Sequence, residues 1–327
     1  MTQSPPIASL LFLYAETPLH AGSGSALGAV DLPIQRERMS GLPMVQGSGV
    51  KGALRAELAR PALEPPIHKA LFGRNPPSGQ GSDQEEDKAG AVSVLDARLL
   101  LFPVRTVWGG FAWVTSPMVL ERLARDLELA GESVGKSLTE LRPEGSDMCL
   151  VAPGSAIAKS GKLFLEDFEY AANESEALAP LAAWLGSHAL PTLASYAPFR
   201  DRLRAQLAIV ADDELQFLAS HATEVITRVR IDDKTGTVAD GALWTEEALP
   251  AESLLWSVVF TTDERPEAKP GQDKEQKDRM RAAAELHGEL ARSLQKKSRI
   301  RLGGDRSVGR GVVGVRLSRE AKNGAKP

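Results

Sequence analysis

Residues 299–318 read RIRLGGDRSVGRGVVGVRLS, and how they are read decides the fold. The second half, VVGVRLS, is an apolar run of the kind a buried strand requires. Ahead of it, Gly303, Gly304, Gly309 and Gly311 punctuate a loop that also carries Arg306, Ser307 and Arg310. Glycine lets a backbone approach a ligand closely, and the arginine fork suits phosphate oxygens. A flexible hairpin turn is the plainer reading of the same residues. At the other end of the chain, IASLLFLYA at 7–15 reads as a second buried strand. Strands at both ends with helical patterns between them predict an α+β fold.

Working inward, Ser48–Ala59 reads as a helix with Ser48 as N-cap. Val50, Leu54 and Leu58 share one face, and Pro61 closes it. The run 74–90 is low in complexity and reads as a mobile loop. AVSVLDARLLLFPV at 91–104 reads as a strand pair broken at Pro103, FAWVTSP as another strand, and Met118–Leu129 as a helix. Signals across 131–206 are weak. LAIVADDELQFLAS predicts a strand and then a helix capped by Asp212 or Asp213. Residues 223–260 read as extended arms around the turn signal DDKTG. Residues 262–281 are charged and loop-like, Ala282–Leu294 is a helix, and the tail 321–327 reads as disordered.

Of the 327 residues, 43% are hydrophobic and 25% charged, the profile of a globular protein with material for a core. The single cysteine, Cys149, excludes an internal disulfide framework and a thiolate zinc cluster, and suits a reducing, cytoplasmic setting. The apolar N-terminal run is too short and too poorly flanked for a signal peptide or membrane span, so no membrane is expected. A formal net charge of −4 argues against nucleic acid. Charge is segregated, however. Arg299, Arg301, Arg306, Arg310 and Arg316 stand against Asp305 alone in one stretch, while 212–252 is acidic. One basic, glycine-rich edge can hold a phosphate backbone in an acidic protein.

Three further patterns carry chemistry. QGSGVKGALR at Gln46–Arg55 matches G-x-G-x-x-G at Gly47, Gly49 and Gly52. It lacks the acid that a dinucleotide ribose needs, and Lys51 is followed by Gly52 where a Walker loop has Ser or Thr. What remains is a helix N-terminus with Lys51 and Arg55 one turn apart, an anion site or else a tight turn beside a solvated lysine. The loop Thr17–Arg38 holds His20 and Asp31, with Arg36 and Arg38 following. Each acid or histidine alone reads as a turn or loop residue. Beside a phosphate-binding surface, Asp31 becomes a candidate ligand for a hard divalent ion or a base toward a ribose 2′-hydroxyl, and His20 a proton carrier near neutral pH. The arms hold Glu224, Glu246 and Glu247 beside Val238, Leu243 and Trp244. The acids are either a solvated face or part of a metal site. The apolar tips either pack a hairpin or wedge between bases.

Taken together, TPLHAGSGSALGAVDLPIQRE, GLPMVQGSGVKGALR, GAVSVLDARLLLFPVR and LGGDRSVGRG resemble the backbone RAMP subunit of type III-B CRISPR effectors, the Cmr complexes. The resemblance covers nearly the whole chain and is weakest over 131–206. It implies a single RAMP domain over 1–327 with an RRM-like, ferredoxin-type core. Helical and loop insertions with core strands would occupy 61–206, a thumb hairpin 221–262, and the glycine-rich loop with the last strand 299–319. Copies of the subunit would stack along a CRISPR guide RNA, each thumb prying the guide–target duplex at regular intervals. Asp31 matches the family's cleaving aspartate and is the expected metal ligand, and His20 matches its loop histidine. Lys51 and Ser48 match the residues that hold guide backbone. Glu246 or Glu247 matches the acid near the scissile phosphate, with Ala248 where a tyrosine is expected soon after. The cofactor implied is a divalent ion, Mg2+ or Mn2+. Implied partners are single-stranded target RNA, further copies of this chain, a small helical subunit, a large polymerase-like subunit and other RAMP subunits. A binding-only scaffold of the same assembly is the competing reading, and an unrelated nucleotide-dependent enzyme built on Gly47–Gly52 is a third.

Overall fold

The computed structural model describes residues 5–59, 61–73, 89–134, 138–265 and 280–318. The run 74–88 of the low-complexity loop, most of the charged stretch 262–281 and the tail 321–327 lie outside the described residues. Within them the chain is α+β. Strand β1 (Ile7–Ala15) is buried along nearly its whole length, because both faces are covered. Ser9 meets His287 on one side, while Phe12 packs edge-on against Trp184 and Tyr14 against Tyr196 on the other. This is the alternation that a pleated strand imposes.

The remaining strands are β2 (Met44–Val45), β3 (Val92–Val94), β4 (Ala97–Thr106), β5 (Gly110–Thr115), β6 (Met148–Val151), β7 (Ala158–Lys159) and β8 (Lys162–Leu165). They continue with β9 (Phe168–Glu174), β10 (Leu207–Ile209), β11 (Glu224–Ile231), β12 (Val238–Ala248), β13 (Leu254–Thr261), β14 (Arg299–Arg301) and β15 (Val312–Leu317). Helices are α1 (Gly47–Glu57), α2 (Pro65–Phe72), α3 (Pro117–Leu129), α4 (Leu178–His188), α5 (Ala197–Gln206), α6 (Asp212–His221) and α7 (Ala283–Lys296).

Strands β15, β1, β13 and β4 lie side by side, each antiparallel to the next, with β14 on the outer edge of β15. The first half of β4 pairs with β13 and the second half with β5. From there the ladder runs through β10, β6, β9 and β8 and returns to β4 at Thr106–Leu165. The weakly patterned 131–206 region supplies much of this second half. Pro103 does not break β4. It falls after the last pair with β13, Leu101–Leu254, so its missing N–H removes no bond on that side.

Two sequence expectations shift here. The hairpin foreseen over 221–262 is β11–β12, ending at Ala248, while Leu254–Thr261 is a central strand registered against β1 from Tyr14–Leu254 to Ile7–Thr261. Its apolar run LLWSVVFT is buried throughout apart from Phe260, which no exposed arm could be. Asp212 caps a different helix from the one expected: its Oδ1 accepts the Met118 N–H of α3 at 2.8 Å.

The antiparallel register positions the site. Ala15 ends β1 opposite Val313 near the start of β15, and Tyr14 sits opposite Leu254 at the start of β13. The loop after β1, the foot of the β11–β12 hairpin and the glycine loop before β15 therefore emerge at one end of the sheet.

Glu252, in the turn that enters β13, adopts φ 71°, a left-handed conformation that costs a non-glycine residue free energy. Its N–H donates to Ala15 O at 2.7 Å, its carbonyl accepts Trp113 Nε1 at 2.8 Å, and its Oε2 is buried without a hydrogen-bond partner. Burial pushes this carboxyl up from 4.5 to about 7. The folded chain thus keeps a proton there that the unfolded chain sheds above pH 4.5, so this site's contribution weakens as pH rises through about 7. Glu252→Gln is expected to raise Tm over wild type at about pH 8 and to lose that advantage near pH 5. An advantage independent of pH would refute the assignment.

Candidate nucleic-acid and catalytic site

The loop after β1 is strapped down on both sides. Toward the hairpin, Leu19 exchanges backbone hydrogen bonds with Leu249, Leu32 N donates to Thr245 O at 3.0 Å and Glu247 N to Leu32 O at 3.0 Å. Toward the glycine loop, Gly304 N donates to His20 O and Gly311 N to Pro18 O, both at 2.9 Å. These approaches exclude side chains. A Cβ on Gly303, at φ 80°, would lie 2.5 Å from His20 O, and one on Gly311 would lie 1.9 Å from Leu302 O. The glycines are therefore spent first on packing this loop against residues 18–20.

Asp31 is exposed on this strap, residues 17–35. Its Oδ2 accepts the Thr245 N–H at 2.7 Å and the Thr245 hydroxyl at 2.8 Å, and its own N–H donates to Thr245 Oγ1 at 2.9 Å. The bond from the Thr245 backbone, and then that from its side chain, hold the carboxyl below the usual carboxylate range. Oδ1 is left for a ligand. Such a carboxylate is a weak base but a persistent anion.

His20 Nδ1 lies 2.6 Å from the Glu247 carbonyl. A carbonyl only accepts, so Nδ1 carries the hydrogen and Nε2 of the neutral ring keeps its lone pair. Glu246 points to the same side, 4.0 Å from His20 Nδ1, and is 2% exposed. His20, Glu246 and Asp305 bring ligand-type atoms within 4.8 Å of one another. Arg228, however, ion-pairs with Glu246 and reaches Asp305 Oδ2 at 4.0 Å, so the cation among these carboxylates is a guanidinium. Asp31 is not one of this trio.

Glu247 faces the opposite way. Its Oε1 accepts Arg36 Nη2 at 2.5 Å and the Thr223 hydroxyl at 2.8 Å, and its Oε2 accepts the Ile34 N–H at 3.0 Å. Arg36 Nη1 also donates to the carbonyls of Gly41 and Ala219. Sequence reading placed Glu247 beside the chemistry and Arg36 on RNA, but in the structure the pair ties the hairpin foot to α6 and the strap. Arg310 is also turned inward. It is 5% exposed, where a phosphate fork was expected, because the loop folds back under Asp305. Arg38, Arg306, Ser307, Gly304 and Gly309 are exposed, and Gly303 is half-buried.

The start of α1 also differs from expectation. Gln46 occupies the cap position and Ser48 lies exposed inside the first turn. The Gly47 N–H donates to Asp96 Oδ1 at 2.8 Å, so the chain's own carboxylate fills the anion position at the helix end. Lys51 is half-buried. Burial, and then the nearby Arg55 and Arg265 charges, lower its hold on its proton. Arg55 Nη2 donates to Gly73 O at 3.3 Å. The helix and the glycine loop share one line of contacts. Gln46 N donates to Gln35 Oε1 at 2.8 Å and Gln35 Nε2 to Gly22 O at 3.0 Å, and Gly22 and Gly304 both flank the His20 ring. Segments from the two ends of the chain thus meet through Gln35 and His20.

A model of the RAMP superfamily matches residues 12–314. The chain belongs to the RAMP superfamily. Among curated RAMP relatives, the CRISPR system Cmr endoribonuclease Cmr4 of Pyrococcus furiosus is 36% identical over 97% of this chain and 98% of its own. The CMR subunit Cmr4 of Saccharolobus solfataricus is 24% identical over 93% and 94%. The crystal structure of oligomeric Cmr4 from Pyrococcus furiosus superposes with TM-score 0.67 at 28% identity, covering 96% of this chain and 98% of that one. A type III-B Cmr-beta complex bound to cognate target RNA contains a chain of the same fold, with TM-score 0.68 at 20% identity, covering 95% and 97%.

Thr245, Arg228 and Asp305 escaped the sequence reading. Asp305 stood in the basic run only as a charge. Arg228 becomes significant once the register places it diagonally across from Glu246.

The anchor role of Glu247 has a direct check. Glu247→Ala is expected to cost about 3 kcal/mol in urea unfolding, since it strands a half-buried arginine, the buried Ile34 N–H and the half-buried Thr223 hydroxyl. A loss of cleavage with unchanged stability would instead place Glu247 in the chemistry.

Proposed function

We propose that this protein is the guide-RNA-binding backbone subunit of a type III-B CRISPR effector, and that within the assembled complex it cuts complementary target RNA beside Asp31. The observation that carries the reading is the Asp31 carboxylate: exposed, kept ionised by Thr245, and seated where the hairpin foot meets the strap. The near-full-length relative named as a Cmr endoribonuclease supports it.

The strand order β15-β1-β13-β4, with α1 and α7 as crossovers, is read as the split βαβ of a ferredoxin-like, RRM-type core. The whole chain is read as a single RAMP domain, and β11–β12 as its thumb. Val229 and Leu243 pair across the hairpin and are exposed above Thr245, in reach of a base. Ser48, Lys51, Arg55, Arg38, Arg306 and Ser307 would track the guide backbone. Target sequence would be read by base pairing with the guide. Further copies of this chain, a small helical subunit, a large polymerase-like subunit and other RAMP subunits complete the assembly, in the cytoplasm.

The reaction is in-line attack of a ribose 2′-hydroxyl on the adjacent phosphorus. The O2′–P bond forms, the P–O5′ bond breaks, the 2′-hydroxyl loses its proton and the leaving 5′-oxygen gains one. A carboxylate with lowered proton affinity suits orienting the hydroxyl, or holding a hard cation, better than taking the proton. A divalent ion, Mg2+ or Mn2+, would be held by Asp31 Oδ1 together with phosphate oxygens of the RNA, the usual arrangement for such ions. There it would supply charge to the phosphoryl oxygens. His20 Nε2 is the group that exchanges a proton.

Asp31→Ala should leave guide binding intact and abolish cutting of target. Complexes that still cut at every regular position would overturn the assignment and leave a binding-only scaffold. Lys51→Ala should weaken guide binding without base preference and reduce the slope of log affinity against log salt by about 1. An unchanged slope would remove Lys51 from the backbone track.

A further inference from the structure

Five charges of alternating sign run from the hairpin through the glycine loop and back to the hairpin. Glu246 on β12 pairs with Arg228 on β11, and Arg228 reaches Asp305 Oδ2 at 4.0 Å. Asp305 and Glu224 are the attractive partners of Arg310, which also feels repulsion from Arg228. The register puts Ile226 opposite Glu246 and Arg228 opposite Trp244, so Arg228 and Glu246 are diagonal neighbours on one face of the hairpin. Thr245 and Glu247 face the other way, onto Asp31 and Arg36. Asp305 sits at the turn of the loop, at φ 55°, with its carbonyl accepting from Val308 and Arg310. The series therefore leaves the hairpin at Arg228, passes through the glycine loop, whose backbone is fixed to His20, and returns to the hairpin at Glu224 on β11.

Glu246 is 2% exposed, and a carboxylate so buried keeps neither its charge nor its orientation without a fixed counter-ion. Arg228 supplies that counter-ion through an ion pair of its Nε with Glu246 Oε2, neither atom having a hydrogen-bond partner, and its far nitrogen lies 4.0 Å from Asp305 Oδ2 on the glycine loop. A guanidinium can serve both because its delocalised charge spreads over a rigid plane that lies between the two carboxylates; an ammonium is a point charge that sits beside one partner at a time. With Oε2 engaged by Arg228, Oε1 is the oxygen that faces His20.

We propose that Arg228 is a positioning residue for target-RNA cleavage: it aims Glu246 at His20 and locks the foot of the hairpin to the glycine loop. It acts through Glu246 and does not hold guide or target. This rests on the reading of the protein as an RNA-cutting subunit with Glu246 at its site.

The test is a double-mutant cycle in reconstituted complexes, reading single-turnover cleavage and target affinity separately. Arg228→Gln should slow cleavage at least about tenfold with target Kd unchanged, and Arg228→Lys should recover only part of the loss. The decisive arm is Arg228→Gln combined with Glu246→Gln. If Arg228 works through Glu246, the double variant cuts no more slowly than Glu246→Gln alone. Losses that multiply, or a Kd that weakens in step with the rate, would overturn the proposal. So would an Arg228→Gln variant that cuts at the wild-type rate while Glu246→Gln is impaired. If Glu246→Gln itself cuts at the wild-type rate, the reading of Glu246 at the site fails instead, and Arg228 loses its role with it. Should Arg228→Gln prevent assembly, Arg228→Lys paired with Glu246→Gln completes the same cycle.

Discussion

Backbone hydrogen bonds from one strap, residues 17–35, hold this site together. On one side the strap pairs with the hairpin foot at Leu249, Thr245 and Glu247. On the other it takes up Gly304 and Gly311 of the glycine loop. Every candidate group is placed by that double attachment. Asp31 meets Thr245 because the next residue, Leu32, donates its N–H to the Thr245 carbonyl, and His20 finds the Glu247 carbonyl because Leu19 is paired with Leu249. The attachment follows in turn from sheet register. β1 ends where β13 and β15 begin, so three segments far apart in sequence leave the sheet together.

Charge is used in two ways around the strap. On the Glu247 face it is consumed internally. Arg36, Thr223 and the Ile34 N–H saturate the carboxylate, leaving a joint and no reactive group. On the Glu246 face it is distributed along an alternating series that passes through Arg310, whose Nη1 is buried without a hydrogen-bond partner. Neighbouring residues of one strand thus have opposite duties, because successive side chains of a strand point to opposite faces. Asp31 stands apart from both sets. It remains open to solvent, and its ionisation is secured chiefly by Thr245.

Much of this was legible in the sequence. The apolar run of β1, the glycines before β15 and the pairing of His20 with Asp31 in one loop all pointed to the site. What could not be read was direction. Glu246 and Glu247 are adjacent and chemically alike, and only the hairpin register separates them. Arg310 resembles Arg306 in composition, yet the left-handed turn at Asp305 sends one inward and leaves the other exposed. Asp96, which fills the start of α1, is distant in sequence and gave no signal beside QGSGVKGALR. β13 was merged with the hairpin because the two are joined by only a short turn.

The central claim is that the start of α1, the strap and the glycine loop form one ribonucleotide-binding surface. Hydrogen–deuterium exchange on the assembled protein, with and without guide RNA, tests it most directly. The account predicts that residues 17–36, 46–55 and 302–311 gain protection together when guide is bound. Protection confined to one of these segments, with the other two exchanging as in the RNA-free protein, would contradict it.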